Sequence, residues 1–217
     1  MAADLLEEGL ARLGLRQDRV VSLIKRYIEE IELFNGAYGL VKVKDHSELV
    51  IKHIFDSLAP VDFFRKQRCK KIADIGSGAG FPGIPLAICM PDVEFTLFER
   101  MGRRAGFLRN TLAVLGLSNV RVEEADAEKL SVSETFDLIV FRAFKPLNGI
   151  LLKKLFRLLA PGGIMAAYKG RRQSVEEEMK NAFGGAEAAW ELLPWELIPL
   201  EVPFLEDERR LVLIRCP

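Results

Sequence analysis

The residues best suited to chemistry lie in one short run, Ala73-Asp74-Ile75-Gly76-Ser77-Gly78-Ala79-Gly80-Phe81-Pro82-Gly83. Glycines at 76, 78 and 80 let a backbone turn sharply and approach a ligand that any Cβ would obstruct. Pro82 suits the first turn of a following helix, where its missing N–H does no harm. A literal G-x-G-x-x-G at Gly78, Gly80 and Gly83 raises a dinucleotide site as a competitor, but lone matches of this kind are weak. Asp74 argues against it. A pyrophosphate beside a carboxylate is disfavoured, whereas the ammonium and sulfonium of S-adenosylmethionine are attracted. The register also disagrees with a dinucleotide fingerprint, which would begin at Gly76 and place Phe81 where the third glycine belongs. The expected ligand is therefore the methyl donor.

Three further positions extend this site. Glu99 follows Gly76 by 23 residues. An acid there accepts ribose hydroxyls in nucleotide-binding folds, so it supports an adenosine ligand. Its alternative is a surface acid paired with Arg100 or Arg103. Asp126-Ala127-Glu128 stands where an adenine amino group would need an acceptor, or else is a helix cap. Arg142, within Phe141-Arg142-Ala143-Phe144, is placed to hold guanine O6, a phosphate or the donor's carboxylate, or to form a structural ion pair. Phe141 and Phe144 would stack on a splayed base or belong to the core.

The absences narrow the reaction. There is no Asn/Asp-Pro-Pro-aromatic run for amino-group methylation, and no cysteine beside Arg142 to attack a pyrimidine. Cys69, Cys89 and Cys216 are scattered without metal-ligand spacing, and both histidines, His46 and His53, are N-terminal. A missing base suits a nucleophile that needs no deprotonation. Guanine N7 has a free lone pair, and in-line placement against the sulfonium methyl supplies most of the rate by proximity and orientation. Arg142 would then act by positioning.

The elements that must hold these residues follow from periodicity. Val20, Ile24, Tyr27, Ile28 and Ile31 form one apolar helical stripe. Asp45 and Glu48 have capping-box spacing, opening a helix expected to reach Ala59. Arg65 to Lys71 reads as a basic connector. Beyond it, strands are expected at Lys71–Ile75, Glu94–Glu99, Val120–Glu123, Phe136–Phe141 and Ile164–Lys169. Helices are expected near Pro82–Met90, Arg103–Leu115 and Leu147–Leu159, the last ended by Pro161-Gly162-Gly163. Segments around Glu191–Pro199 and Arg209–Ile214 would complete one edge by an antiparallel hairpin or crossover. Alternation of strand and helix predicts an α/β, mostly parallel, doubly wound Rossmann-like sheet. Residues 1–65 would form a helical N-terminal extension, and 66–217 the ligand-binding domain.

An apolar content of 49 % suits a globular core. The acidic start lacks the basic region of a signal peptide, and no apolar run reaches the roughly 18 residues of a membrane span. The expectation is a cytoplasmic protein without a membrane partner, and a monomer. Net charge is zero, yet its distribution is uneven. Arg100 to Val122 holds five bases and no acid, and Leu138 to Val175 holds eight bases and no acid. Such stretches read as a phosphate-binding face, with Arg103, Arg104, Arg109, Lys145, Lys169, Arg171 and Arg172 as RNA contacts. Their alternative is solvated helix faces with partners elsewhere in the fold.

Together these residues resemble the GidB/RsmG family of bacterial 16S ribosomal RNA guanine-N7 methyltransferases. The resemblance runs from about Phe34 to Ile214. It rests on His53-Ile54-Phe55-Asp56-Ser57-Leu58, the glycine loop through Leu86, Gly102-Arg103-Arg104, Phe107-Leu108-Arg109, Arg142-Ala143-Phe144, Lys169-Gly170 and Glu208-Arg209-Arg210-Leu211-Val212. It implies a class I methyltransferase fold and a donor site of Gly76, Phe81, Glu99 and its neighbours, Ala127, Glu128 and Arg142. The implied partner is 16S RNA or the 30S subunit, and the implied target a guanine of the decoding region. One departure is Gly39-Leu40-Val41, where the family usually has Asn-Leu-Thr. His53 and Asp56 share a helix face and would either dock that helix or reach the donor or RNA site. Two other functions remain open at this point: methyl transfer to a protein or small molecule, and a non-catalytic RNA-binding assembly factor.

Overall fold

The computed structural model describes residues 4–126, 134–142, 148–183 and 194–215. Seven strands form one sheet in the order β3-β2-β1-β4-β5-β7-β6. They are β1 (Lys71–Ile75), β2 (Glu94–Phe98), β3 (Val120–Glu123), β4 (Phe136–Arg142), β5 (Leu159–Lys169), β6 (Trp195–Leu200) and β7 (Arg209–Arg215). The first five are mutually parallel, β7 runs antiparallel to β5, and β6 returns antiparallel to β7. Chain order reverses between β1 and β4, so their carboxyl ends open the crevice where sheets of this kind bind ligands.

Side chains alternate across the sheet with the period of two that a pleated strand imposes. Leu138, Val140, Ile164, Ala166, Leu211 and Leu213 face one core. Ile139, Phe141, Met165, Ala167, Val212 and Ile214 face the other. The second core is closed by α8 (Gly149–Phe156) and α9 (Arg172–Phe183). The first receives α1 (Leu5–Arg12), α2 (Asp18–Tyr38), α5 (Val61–Lys66), α6 (Gly83–Cys89) and α7 (Gly102–Leu115). All five residues of the α2 stripe are buried there. The N-terminal helices thus share a continuous core with the sheet, Leu10 and Ile24 lying in the same cluster as Ile72 and Leu97.

The helix expected from Asp45 is present but irregular. It runs as α3 (His46–Leu49), a π-helical turn (Val50–Phe55) and α4 (Asp56–Leu58). Asp45 caps it by accepting from Glu48 N, and Glu48 accepts in return from Lys44 N, one residue before the expected partner. Beyond shifts of a few residues at element ends, three features differ from the sequence reading. Arg65 and Lys66 end α5 rather than forming a connector, because Val61 and Phe64 give that segment a buried face. Strand β5 starts at Leu159 and carries Pro161-Gly162-Gly163 as an irregularity, since its pairing with β4 jumps from Leu159 to Ile164. Helix α9 was not expected; its acid-rich sequence hides Val175 and Met179, which are buried. Among the described residues, no helix is long and apolar enough to cross a membrane.

Candidate active site

The glycine run leaves β1 and wraps over the carboxyl end of the sheet. Gly76 and Ser77 both donate to Phe98 O, at 2.9 and 3.1 Å, which ties the loop to the end of β2. Gly76, Gly78 and Gly80 adopt φ of 72°, 60° and 105°, values at which an L side chain is strained. Their surroundings separate them. A Cβ on Gly80 would lie 2.6 Å from Ile84 Cδ1 and 2.9 Å from the Tyr27 hydroxyl, so that glycine serves packing. A Cβ on Gly78 would meet nothing closer than 3.9 Å. Between Ile72 and Phe81 only Gly76 and Gly78 retain exposure. They present bare backbone to the crevice, as a ligand approaching that closely requires.

Asp74 does not face that crevice. It is fully buried, and Oδ2 accepts from Gly83 N at 2.9 Å, bracing the start of α6 beneath the loop. Burial pushes its carboxyl up to about 7, against the hydrogen bonds from Gly83 and Ser77. The attraction to a cationic donor inferred from sequence is therefore corrected: Asp74 is a sealed brace. Gly83 packs on it, a Cβ there falling 2.6 Å from Asp74 Oδ2. The literal G-x-G-x-x-G thus ends in a packing glycine.

Glu99 lies where the sequence places it. Its Oε2 accepts from Gly78 N at 2.9 Å and its Oε1 from Met101 N at 2.8 Å. Each oxygen keeps a lone pair for a further donor such as a ribose hydroxyl. It is only 4 % exposed, and no ion pair to Arg100 or Arg103 competes for it. Arg100 is exposed beside it, and Asp126 is half-buried past β3. Ala127, Glu128, Ala143, Phe144 and Lys145 lie outside the described residues. Phe141 is buried in the second core and does not face a base.

Arg142 ends β4 and is held from several sides. Nη1 donates to Asp56 Oδ2 and to Lys52 O, both at 3.0 Å, and Nη2 meets His53 Nδ1 at 2.6 Å. Its guanidinium also lies 4.9 Å from the Phe81 ring centre, and His53 packs on the same ring at 5.1 Å. Arg142 binds this nitrogen as a donor, so Nδ1 accepts and His53 is neutral with its proton on Nε2. Burial and the Arg142 charge hold its pKa down at about 4. Asp56 also pairs with Arg209 Nε at 3.2 Å. The irregular turn of Val50–Phe55 delivers Lys52 O and His53 to one guanidinium, in keeping with the frequency of π turns at functional sites. His53 and Asp56 thus bind the helix to the sheet through Arg142, at the rim of the glycine loop.

The remaining expected bases divide. Arg109 pairs with Glu124 at 3.3 Å, Lys169 with Glu178 at 2.7 Å and Arg172 with Glu176 at 2.6 Å. Acids that follow each stretch within three residues thus pair with bases inside it. Arg104 Nη2 donates to Gly39 O at 3.4 Å, and Arg103 and Arg171 are exposed. Sequence reasoning missed two contributors: Tyr27, whose hydroxyl donates to Ala79 O at 2.8 Å inside the loop, and Arg209. Tyr27 looked like one more member of an apolar stripe. Nothing in sequence joined Arg209 to Asp56.

The sheet order and the glycine loop at the reversal of chain order define the class I methyltransferase fold. A putative O-methyltransferase from Klebsiella pneumoniae shares it at TM-score 0.64 and 19 % identity, covering 97 % of this chain and 95 % of that one. An N-methyltransferase, NodS from Bradyrhizobium japonicum in complex with S-adenosyl-L-homocysteine, shares it at TM-score 0.56 and 19 % identity, covering 93 % and 100 %. The model of the family described as "GidB: rRNA small subunit methyltransferase G" matches residues 21–190, and this chain belongs to that family. "Ribosomal RNA small subunit methyltransferase G" of Treponema pallidum (strain Nichols) is 42 % identical over 221 residues, covering 98 % of this chain and 94 % of the relative. The protein of the same name from Stenotrophomonas maltophilia (strain K279a) is 38 % identical, with coverage of 98 % and 94 %. The chain is a methyltransferase, and S-adenosylmethionine is its methyl donor.

Proposed function

We propose that this protein methylates N7 of one guanine in 16S ribosomal RNA, as a cytoplasmic monomer acting on the RNA or on the 30S subunit. The observation that carries the donor half of this reading is the pair of accessible glycines, Gly76 and Gly78, beside the half-satisfied carboxylate of Glu99. When bound, the donor supplies a methyl group activated by its sulfonium. The chain's own residues then have separate tasks. Gly76 and Gly78 offer backbone at close range, and Glu99 accepts from ribose. Arg100 and Asp126 flank the adenine side, with Ala127 and Glu128 expected there by family resemblance. Phe81 and Arg142 form the wall nearest the end of β4, with His53 and Asp56 holding Arg142 in position.

The target atom follows from what these residues do not provide. His53 is the imidazole packed on Phe81, and at neutral pH it is a weak base with Nδ1 occupied by Arg142. Asp74 is sealed under the loop. Neither is placed to take a proton from substrate. Guanine N7 needs no such group, because its lone pair is free and alignment alone serves it. Family membership makes ribosomal RNA the substrate of choice. The test is incubation with tritium-labelled S-adenosylmethionine and 16S RNA, offered naked, as 30S particles and as intact ribosomes. Label is expected in the RNA of at least one form. Absence from all three, with donor binding intact by calorimetry, would overturn the reading.

A further inference from the structure

Arg103 differs from the paired bases around it. Among the described residues it makes no ion pair, and its guanidinium lies 5.8 Å from the centre of the Tyr38 ring. Tyr38 is half-exposed at the end of α2 and stacks on Phe34 at 5.6 Å with the rings 28° apart. Phe34 in turn meets Phe107 of α7 edge-on at 5.9 Å. Four side chains thus form a column that starts in the core at Phe107 and ends at an exposed, planar cation. The column is anchored where the two helices meet, since Arg104 reaches from α7 to Gly39 O. Lys42, three residues past Gly39, is exposed and likewise without an ion pair. Nearby acids are occupied: Glu124 by Arg109, Glu32 by His46, Glu30 by Asn110 and Glu99 by backbone N–H groups.

A guanidinium beside an aromatic ring offers a nucleobase a stacking surface as well as a charge for phosphate, a pairing that lysine does not reproduce. We infer that the Phe34–Tyr38–Arg103 column is the docking platform for single-stranded RNA, an unpaired base stacking on Arg103 while Arg103 and Lys42 neutralise phosphates. This rests on the function proposed above and adds the place where the RNA is received, next to the donor loop at the start of α7. The bases of the acid-free stretches are then unequal in this role. Bases that already have carboxylate partners release few counterions when RNA arrives, whereas Arg103 and Lys42 are uncompensated.

The experiment is filter binding of purified 16S RNA across a series of KCl concentrations, with melting temperature checking the fold of each variant. Arg103→Ala is expected to weaken binding about tenfold, the scale of a lost stacking contact. It should also flatten the slope of log K against log salt by about 0.7, one single-strand phosphate. Arg103→Lys keeps the charge, so the slope should stay while affinity falls. Tyr38→Ala, which removes the support under the guanidinium, should behave like Arg103→Lys. Lys66→Ala on α5 serves as the remote control and should change neither quantity. Unchanged affinity and slope in Arg103→Ala, with wild type still binding and methylating, would overturn the platform while leaving the proposed function standing. Arg103→Lys binding as tightly as wild type would overturn the stacking role. A wild-type chain that binds S-adenosylhomocysteine but neither purified 16S RNA nor 30S particles nor intact ribosomes would overturn both.

Discussion

Burial works against charge at two residues of the site, with opposite consequences for stability. The carboxyl of Asp74 is pushed up to about 7, so between its ordinary value and 7 the folded state holds a proton that the unfolded state releases. Its contribution therefore improves as pH falls from 7 toward 4. The imidazole of His53 is pushed down to about 4, so between 6.5 and 4 the unfolded state binds the extra proton. That contribution is present above 6.5 and is lost as pH falls toward 4. Asp74→Asn isolates the first effect: at pH 8 its melting temperature should exceed wild type by about 5 °C, and the difference should close by pH 5. A gap independent of pH would contradict the burial argument. Asp56 offers a second test. Its removal leaves two largely buried guanidiniums, Arg142 and Arg209, without their carboxylate. Asp56→Ala should cost about 3 kcal/mol in urea unfolding. Arg142→Ala should cost less stability, because Asp56 keeps Arg209, and should weaken S-adenosylhomocysteine binding more.

At the scale of elements, the glycine loop separates two roles that its sequence merges. Gly78→Ala meets open space apart from its positive φ, so the fold should lose only about 1 kcal/mol while donor affinity falls at least tenfold. Gly80→Ala drives a Cβ into Ile84 and the Tyr27 hydroxyl, so it should lower the melting temperature more than Gly78→Ala does. Titration calorimetry and thermal melts on the pair would distinguish them. The loop, Glu99 and the strands of the parallel half were legible because each rests on local signals: glycine spacing, an acid at a strand end, alternation of strand and helix. The orientation of Asp74 was not, since a strand-terminal residue has two faces to choose from and only the packing of Gly83 decides. Nor was the Arg142–His53–Asp56 cluster. Its partners were singled out separately, but 86 residues separate Asp56 from Arg142, and no periodicity spans that distance. Gly39, a departure from the family's usual asparagine, caps α2 at φ 58° with no atom near its missing Cβ, a conformation that asparagine also tolerates. Gly39→Asn should leave the melting temperature within about 2 °C of wild type.

For the whole molecule, the N-terminal helices and the sheet share one hydrophobic core, and Tyr27 of α2 bonds directly to the donor loop. The protein should therefore unfold in a single calorimetric transition rather than in two, with the donor loop lost together with the first helices. Two resolved transitions would restore a separable N-terminal extension. The central claim concerns the whole arrangement: a donor held at bare glycine backbone and Glu99, a wall of Phe81 and Arg142, and, among the described residues, no side chain in position to deprotonate the substrate. The direct measurement is enzymatic digestion of the labelled 16S RNA to nucleosides, followed by chromatography and mass spectrometry. Label confined to 7-methylguanosine from a single site is the predicted result. Label on a guanine amino group, on a ribose hydroxyl or in ribosomal protein would require a proton acceptor that neither Asp74 nor His53 supplies, and would contradict the account.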